Sequence, residues 1–316
     1  MKKKLLVILK CLFTLIVFSI LLTQINLSTV CSLLRSVQLS YLFLALMTLL
    51  IQTYICILRW HLILRFVGLI QPISVSLQIY WAGIFFNSIL PTGVGGDLLR
   101  LWMIKNLGGN IYKNINSILL DRLLALLTMI LVVWISIPVL QPVLQNTKLI
   151  NLFKLAACVG LGGFIALSYA YRLPDQYQFR SLKLLRQLSL DLRALWASPK
   201  KTFFIVSTAV VGMLVQIITI YLIGKSLNLS IQFVDCLVLV PPIILIMTLP
   251  VSMGGWGLRE GAMVTFFGMI GVSTTASLSL SIIFGCLVLL MSLPGGIFWI
   301  IWQKRINIRT SDLSAV

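Results

Sequence analysis

The sequence predicts an all-α polytopic membrane protein with an inverted-topology repeat, six full crossings, two re-entrant helical hairpins, and both termini inside. Three observations lead there. Of 316 residues, 59% are hydrophobic and 10% charged, with a mean hydropathy of +1.06, whereas a soluble domain carries about 25% charged residues. The 25 Lys+Arg against 7 Asp+Glu, a net charge of +18, gather in short segments between apolar runs, as the positive-inside rule requires. A Pro/Gly-interrupted motif also occurs twice at matching places. Composition excludes a soluble enzyme, a nucleic-acid binder and a disordered tail.

Each span needs about 20 mainly apolar residues. Residues 5–22 follow Lys2-Lys3-Lys4; the run exceeds a secretory core of about 7–15 residues, so it reads as the first crossing, outward. Residues 39–58 return and end at Arg59-Trp60-His61 and Arg65, a basic and aromatic anchor at the cytoplasmic interface. His61, the one histidine, reads as part of that anchor rather than a proton relay. The apolar run 73–90 is broken by Pro-Thr-Gly-Val-Gly-Gly-Asp at 91–97 and resumes over 98–107, near Lys105 and Lys113. Both flanks prefer the cytoplasm, which makes a re-entrant hairpin. Irregular backbone at membrane depth must line protein or a water-filled cavity.

Residues 115–140 cross outward and 149–171 return. The loop 171–201 holds Leu185, Leu188, Leu192, Leu195 and Trp196 on one helical face and Arg180, Lys183, Arg186 and Arg193 on the other. That pattern predicts an amphipathic helix on the inner leaflet. Residues 202–224 cross outward. The run 236–250, broken by Pro241-Pro242, leads through 251–257 into 262–270 and a charge-free turn at 271–274, so the second hairpin opens outward. Residues 276–302 make the last crossing, with Lys304, Arg305 and Arg309 inside. One integral-membrane domain results, with a first repeat over 1–145, a second over 146–302 and a cytoplasmic tail over 303–316. The six cysteines show neither CxxC nor metal-ligand spacing and read as thiols packed in helices.

The repeat is explicit. Leu90-Pro91-x-x-x-Gly95-Gly96-x-x-Leu99-Arg100 has the spacing of Leu249-Pro250-x-x-x-Gly254-Gly255-x-x-Leu258-Arg259. Three crossings per half turn the second half upside down. Paired interrupted segments of this kind point to a binding site near the midplane. Proline ends a helix without needing a donor, and Gly-Gly permits a turn or a close approach. A helix restarting after Gly-Gly offers free N–H groups to an anion, and Arg100 and Arg259 add forks that match a phosphate. Trp256 stands where the first motif has Asp97, so the two hairpins differ chemically.

These residues resemble the lysylphosphatidylglycerol synthase transmembrane, or flippase-like, family over nearly the whole chain. The resemblance runs through Arg59-Trp60, Phe86-Asn87, Pro91, Gly95-Gly96-Asp97, Arg100, Asp121-Arg122 and Gly254-Gly255-x-Gly257-x-Arg259-Glu260. Asp121 departs from the glutamate common there. The resemblance implies movement of a lipid, or a lipid-linked sugar or phosphate, between leaflets. Lysyl transfer is not expected, since only 303–316 follow the last span where full synthases carry a soluble catalytic domain. The substrate-binding candidates are Asn87, Pro91, Gly95, Gly96, Asp97, Arg100, Asp121, Arg122, Pro250, Gly254, Gly255, Gly257, Arg259 and Glu260.

Charge inside a bilayer costs a few kcal/mol even on lenient scales, so the charged candidates should have partners. Asp97 and Arg100 are spaced to share a helical face, and Asp121 is positioned to pair locally with Arg122. Arg259 and Glu260 are adjacent and point apart, so each calls for a partner elsewhere. Asn87 is placed to satisfy freed backbone groups. The expected ligand is an anionic phospholipid or a polyprenyl-phosphate-linked lipid, with a second copy of the chain or a lipid-synthesis enzyme as protein partner. No cofactor is expected, because neither a P-loop nor a metal-ligand cluster occurs. Topology and family resemblance place the protein in a bacterial inner membrane. The rival readings are an accessory subunit of a lipid or envelope-glycan synthesis complex and a membrane transferase acting on a lipid-linked substrate.

Overall fold

The computed structural model describes residues 37–90, 94–107, 110–143, 147–172, 180–248 and 255–314. Ten α-helices and one 3-10 turn are present, with no strand among the described residues. The expected crossing at 5–22 and the motif residues Pro91, Pro250 and Gly254 lie outside them.

Among the described residues, five helices are long and apolar enough to cross a membrane, and they coincide with five of the expected crossings. They are α1 (Leu39–Phe66), α4 (Ile111–Val143), α5 (Thr147–Tyr169), α7 (Pro199–Ser226) and α10 (Thr274–Ser314). Between them lie two pairs of shorter helices: α2 (Ile73–Ile89) with α3 (Gly95–Lys105), and α8 (Phe233–Met247) with α9 (Leu258–Gly268). At 1.5 Å per residue, α2 and α8 reach about 26 and 23 Å, short of a hydrocarbon core of about 30 Å.

Helices α1 and α7 run antiparallel along a polar seam. Gln38 Nε2 donates to Asn228 Oδ1 at 2.6 Å, the Thr48 and Thr219 hydroxyls lie 2.9 Å apart, and Gln52 Nε2 donates to Gln216 Oε1 at 3.0 Å. Both helices end alike. Leu69 N–H reaches back to the Leu64 carbonyl over Gly68, and Leu229 N–H to the Gly224 carbonyl over Asn228. Gly68 (φ 83°) and Asn228 (φ 56°) take the left-handed conformation that this helix ending requires.

Short helix α2 packs on α3 and α10, while α8 packs on α9 and α4. The α2–α10 seam is tight: Trp81 Nε1 donates to the Met291 carbonyl at 2.7 Å, and a side chain at Gly295 would strike the Trp81 carbonyl. The main apolar core joins α7 to α10 through Ile217, Ile220, Leu239, Ile243, Phe267 and Leu280.

Helix α6 (Arg180–Trp196) is amphipathic as expected. Its stripe, however, is divided. Leu188, Leu192 and Leu195 are buried against Ile63, Leu120 and Leu124 of α1 and α4, and only Leu185 and Trp196 remain exposed. The protein's own apolar surface takes most of the face that sequence assigns to the leaflet. Polar contacts fix the arm. Ser189 Oγ donates to the Ser168 carbonyl at 2.9 Å and accepts from Tyr171 N–H at 2.9 Å. Asn116 Nδ2 of α4 donates to Asp191 at 2.6 Å.

Candidate functional site

Helices α1, α3 and α4 carry a chain of alternating charges into the interior. Arg59 Nε donates to Asp121 Oδ1 at 2.8 Å, and Arg100 Nη2 reaches Asp121 Oδ2 at 3.3 Å. Arg100 Nη1 also lies 3.3 Å from Asp97 Oδ1, the same-face pair that their spacing predicts. Asp97 in turn accepts from Arg122 Nε at 3.0 Å and Nη2 at 2.9 Å.

Two expectations are corrected here. Asp121 does not pair with Arg122: the two point about 100° apart on α4, and each has a partner on another helix. Asp121 faces Arg59 and Arg100 while Arg122 turns to Asp97. Arg59, read as an interfacial anchor, is buried, as is Trp60. His61 is likewise buried, its Nδ1 2.9 Å from Ser76 Oγ. What drew these residues inward is the carboxylate of Asp121 and the aromatic pocket around Arg100. That guanidinium lies 4.1 Å from the Trp60 ring centroid and 4.3 Å from that of Tyr80, a cation–π contact with each of two rings whose centroids are 5.8 Å apart. Tyr80, on α2, was not legible as a site residue: one tyrosine in an apolar run carries no signal without its partner.

In the second half, Arg259 and Glu260 do pair directly. Arg259 Nη2 lies 2.6 Å and Nε 3.0 Å from Glu260 Oε1. Ser281 of α10 joins both, accepting from Arg259 Nε at 3.0 Å and donating to Glu260 at 3.1 Å. The long guanidinium arm folds back over the helix, which spacing arguments made at the Cα level do not anticipate. Trp256 stacks 4.3 Å from the Arg259 guanidinium. Glu260 Oε2 also accepts from Gly257 N–H at 2.6 Å, capping α9.

The glycine motifs serve different ends. Gly95 and Gly96 form the first turn of α3, and a Cβ on Gly96 would run into the Gly83 carbonyl and the Asn87 side chain. The absence of side chains there lets α2 and α3 touch. Asn87 Oδ1 accepts from Gly96 N–H at 2.7 Å, the backbone-satisfying role expected of it. In the second motif Gly255 and Gly257 take left-handed conformations (φ 82° and 84°), and α9 restarts only at Leu258. The N–H groups of Gly96 and Gly257 are therefore taken by side chains rather than offered to an anion. The arginine forks supply the positive side chains beside them.

Those forks line a chamber of about 360 Å³ that draws on α1, α2, α7 and α10. Arg100, Arg122 and Arg259 all reach it, together with Gln52, Asn87 and Gln216. A second chamber, of about 640 Å³, is mainly apolar, walled by Leu98, Leu101, Ile118, Leu119, Met129 and Ile244. Asn87, Arg122 and Met247 belong to both, so the two spaces meet at Arg122. Asp97 and Gly255 face the apolar one. Among the described residues no three His, Cys, Asp or Glu side chains come together as metal ligands.

A family model for the lysylphosphatidylglycerol synthase TM region matches residues 7–296. The chain belongs to that family. No curated protein matches the chain. Membership in the lysylphosphatidylglycerol synthase TM family, with the five long apolar helices, makes this a multi-pass membrane protein of a family named for lipid metabolism. The match covers the membrane region of such synthases, the part in which every residue of the charge network falls.

Proposed function

We propose that the chain binds a membrane lipid through its anionic headgroup and moves it between leaflets. The observation that carries this reading is the meeting of the two chambers at Arg122. A phosphate suits the three guanidinium groups, which bind it by paired N–H donors, while an acyl or prenyl chain suits the apolar wall beside them. An amphiphile spanning both would keep its polar and apolar ends together in matched surroundings.

The inverted repeat, with N-in and C-in topology, supplies the means. It is supported by the antiparallel run of α1 and α7, the counterparts in the two halves, and by their identical left-handed endings. It is supported too by the exchange of partners: α2 lies on α10 as α8 lies on α4. Repeats of this kind alternate access by rocking one half against the other about a fixed site. The positive-inside pattern and the family fit an inner membrane of bacterial type.

Two measurements test the proposal. Lipid retained through purification is identified by mass spectrometry in wild type and in the Arg100→Gln/Arg259→Gln variant, where one enriched anionic lipid should disappear. In proteoliposomes, wild type should speed exposure of a headgroup-labelled anionic phospholipid to an external quencher, and the variant should not. Only bulk lipid in both preparations, with no transfer in vesicles, would favour the accessory-subunit reading instead.

A further inference from the structure

We infer that α6 is a strap across the two proposed halves of the molecule and that a proton on Asp191 closes it. The strap does not depend on what the chambers bind.

Helix α6 follows α5 in the chain and so belongs with the second half, yet it packs on both. Leu188, Leu192 and Leu195 share one buried cluster with Ile63 of α1 and with Leu120 and Leu124 of α4, all first-half residues, and with Ile205 of α7. Polar contacts hold it on each side. Ser189 bonds the Ser168 carbonyl and Tyr171 N–H, within the second half. Asp191 Oδ2 accepts from Asn116 Nδ2 at 2.6 Å, and that contact reaches the first half. A movement between the halves must therefore part the apolar seam and the Asn116–Asp191 pair together.

The pair is half made. Asn116 is fully buried, and its Oδ1 has no hydrogen-bond partner. A carboxylate only accepts, so it can engage the amide N–H and leaves the amide oxygen idle. Once protonated, the same group also donates, and its O–H answers that oxygen. Acid and amide then close a ring of two hydrogen bonds, N–H···O and O–H···O. A buried acceptor without a donor is costly, and the proton removes that cost along with the buried charge. The proton comes from water and returns to it; no other bond changes.

The surroundings permit this. Burial pushes the Asp191 carboxyl above the ordinary range, while the Asn116 bond and Lys113 of α4 pull it down. The other charges on the packed elements are engaged or turned elsewhere. Asp121 and Arg122 of α4 belong to the charge network, and His61 of α1 is turned to Ser76. Arg193 of α6 and Arg172 of the 3-10 turn lie over the Tyr171 ring, and Lys201 of α7 lies over Phe66. Arg65 of α1 and Lys200 of α7 are exposed. Lys183 and Arg186 stand more than a turn back along α6, and Lys154 lies about 21 Å along α5 from Ser168.

Hydrogen–deuterium exchange of the full-length protein in detergent tests the strap, at pH about 4.5 and about 7.5, with each amide corrected for its intrinsic rate. Amides of α6 should be about three- to tenfold better protected at the lower pH, the worth of one hydrogen bond. Asp191→Asn offers Asn116 a donor and an acceptor at every pH and should hold α6 at the acid level of protection throughout. Asn116→Ala removes the partner and should leave α6 at both pH values no better protected than wild type at the higher. Added protection in the first variant is a result that misfolding cannot produce. Equal protection of wild type at both pH values, or an undiminished pH response in Asp191→Asn, would overturn the strap. On the carrier reading, acid should also slow lipid transfer in wild-type vesicles, and Asp191→Asn should be slow at both pH values. Absence of transfer in every sample would count against the carrier and leave the exchange result standing.

Discussion

Asp121 and Arg122 are neighbours in sequence with opposite burdens. Asp121 is buried between two arginines, whereas half of the Arg122 side chain is exposed. Removing one partner of a buried pair strands the other, at about 3–5 kcal/mol, while an exposed pair is worth about 0–1 kcal/mol. Asp121→Asn should therefore lower the melting temperature sharply, and Arg122→Gln should barely move it while lowering lipid retention; melting curves in detergent with parallel lipid analysis check both. Asp191 gives a pH-dependent counterpart. Burial pushes its carboxyl above the ordinary range, against the opposing pull of the Asn116 hydrogen bond and of Lys113. A raised folded value favours the protonated acid, so the stability it lends is full below the unfolded carboxylate value and is lost as pH rises through the folded one. Asp191→Asn keeps an acceptor for Asn116 and removes that loss. Its melting temperature should gain on wild type as pH rises from about 4 to neutrality, and parallel curves would count against this assignment.

At the scale of helices, the seams depend on missing side chains. A Cβ at Gly96 would collide with the Gly83 carbonyl, which two backbones cannot easily yield, so Gly96→Ala should cost about 1–3 kcal/mol as overpacking does. A Cβ at Gly285 would instead strike the Arg259 guanidinium. Gly285→Ala should displace that arm from the chamber and reduce anionic-lipid retention even in protein that folds. Hydropathy located the starts of these helices within a few residues, since apolar length and basic flanks act locally along the chain, whereas α1 and α10 run on past the expected ends to Phe66 and Ser314. The motif also exposed Gly96, Arg100 and Arg259, because paired glycines and an arginine stand out in an apolar run. Which carboxylate each arginine chose was not legible. Arg59 meets Asp121 across 62 positions, and only the packing of α1 on α4 decides it. The same limit hid Tyr80, Gln52 and Gln216, ordinary residues until helices bring them to one wall.

For the whole molecule, the proposed inverted repeat would make the two hairpins open to opposite sides. In a background without native cysteines, a cysteine at Asn106 should react with an impermeant maleimide only from the cytoplasm, and one at Val272 only from outside. Labelling of both from one side would contradict the inversion. The charge network bears on the molecule in another way. Four arginines, Arg59, Arg100, Arg122 and Arg259, face three acids, Asp97, Asp121 and Glu260, which leaves one positive charge uncompensated. A charge crossing the full membrane field is worth about 2.3 kcal/mol per 100 mV. Under the proposed transport function, a singly anionic headgroup would cancel it, so the loaded carrier would be electrically silent and voltage would act on the unloaded one alone. An inside-negative potential would then draw the vacant site toward the cytoplasm. A potassium diffusion potential across vesicles should accordingly change the transfer rate when lipid is scarce and lose its influence as lipid saturates.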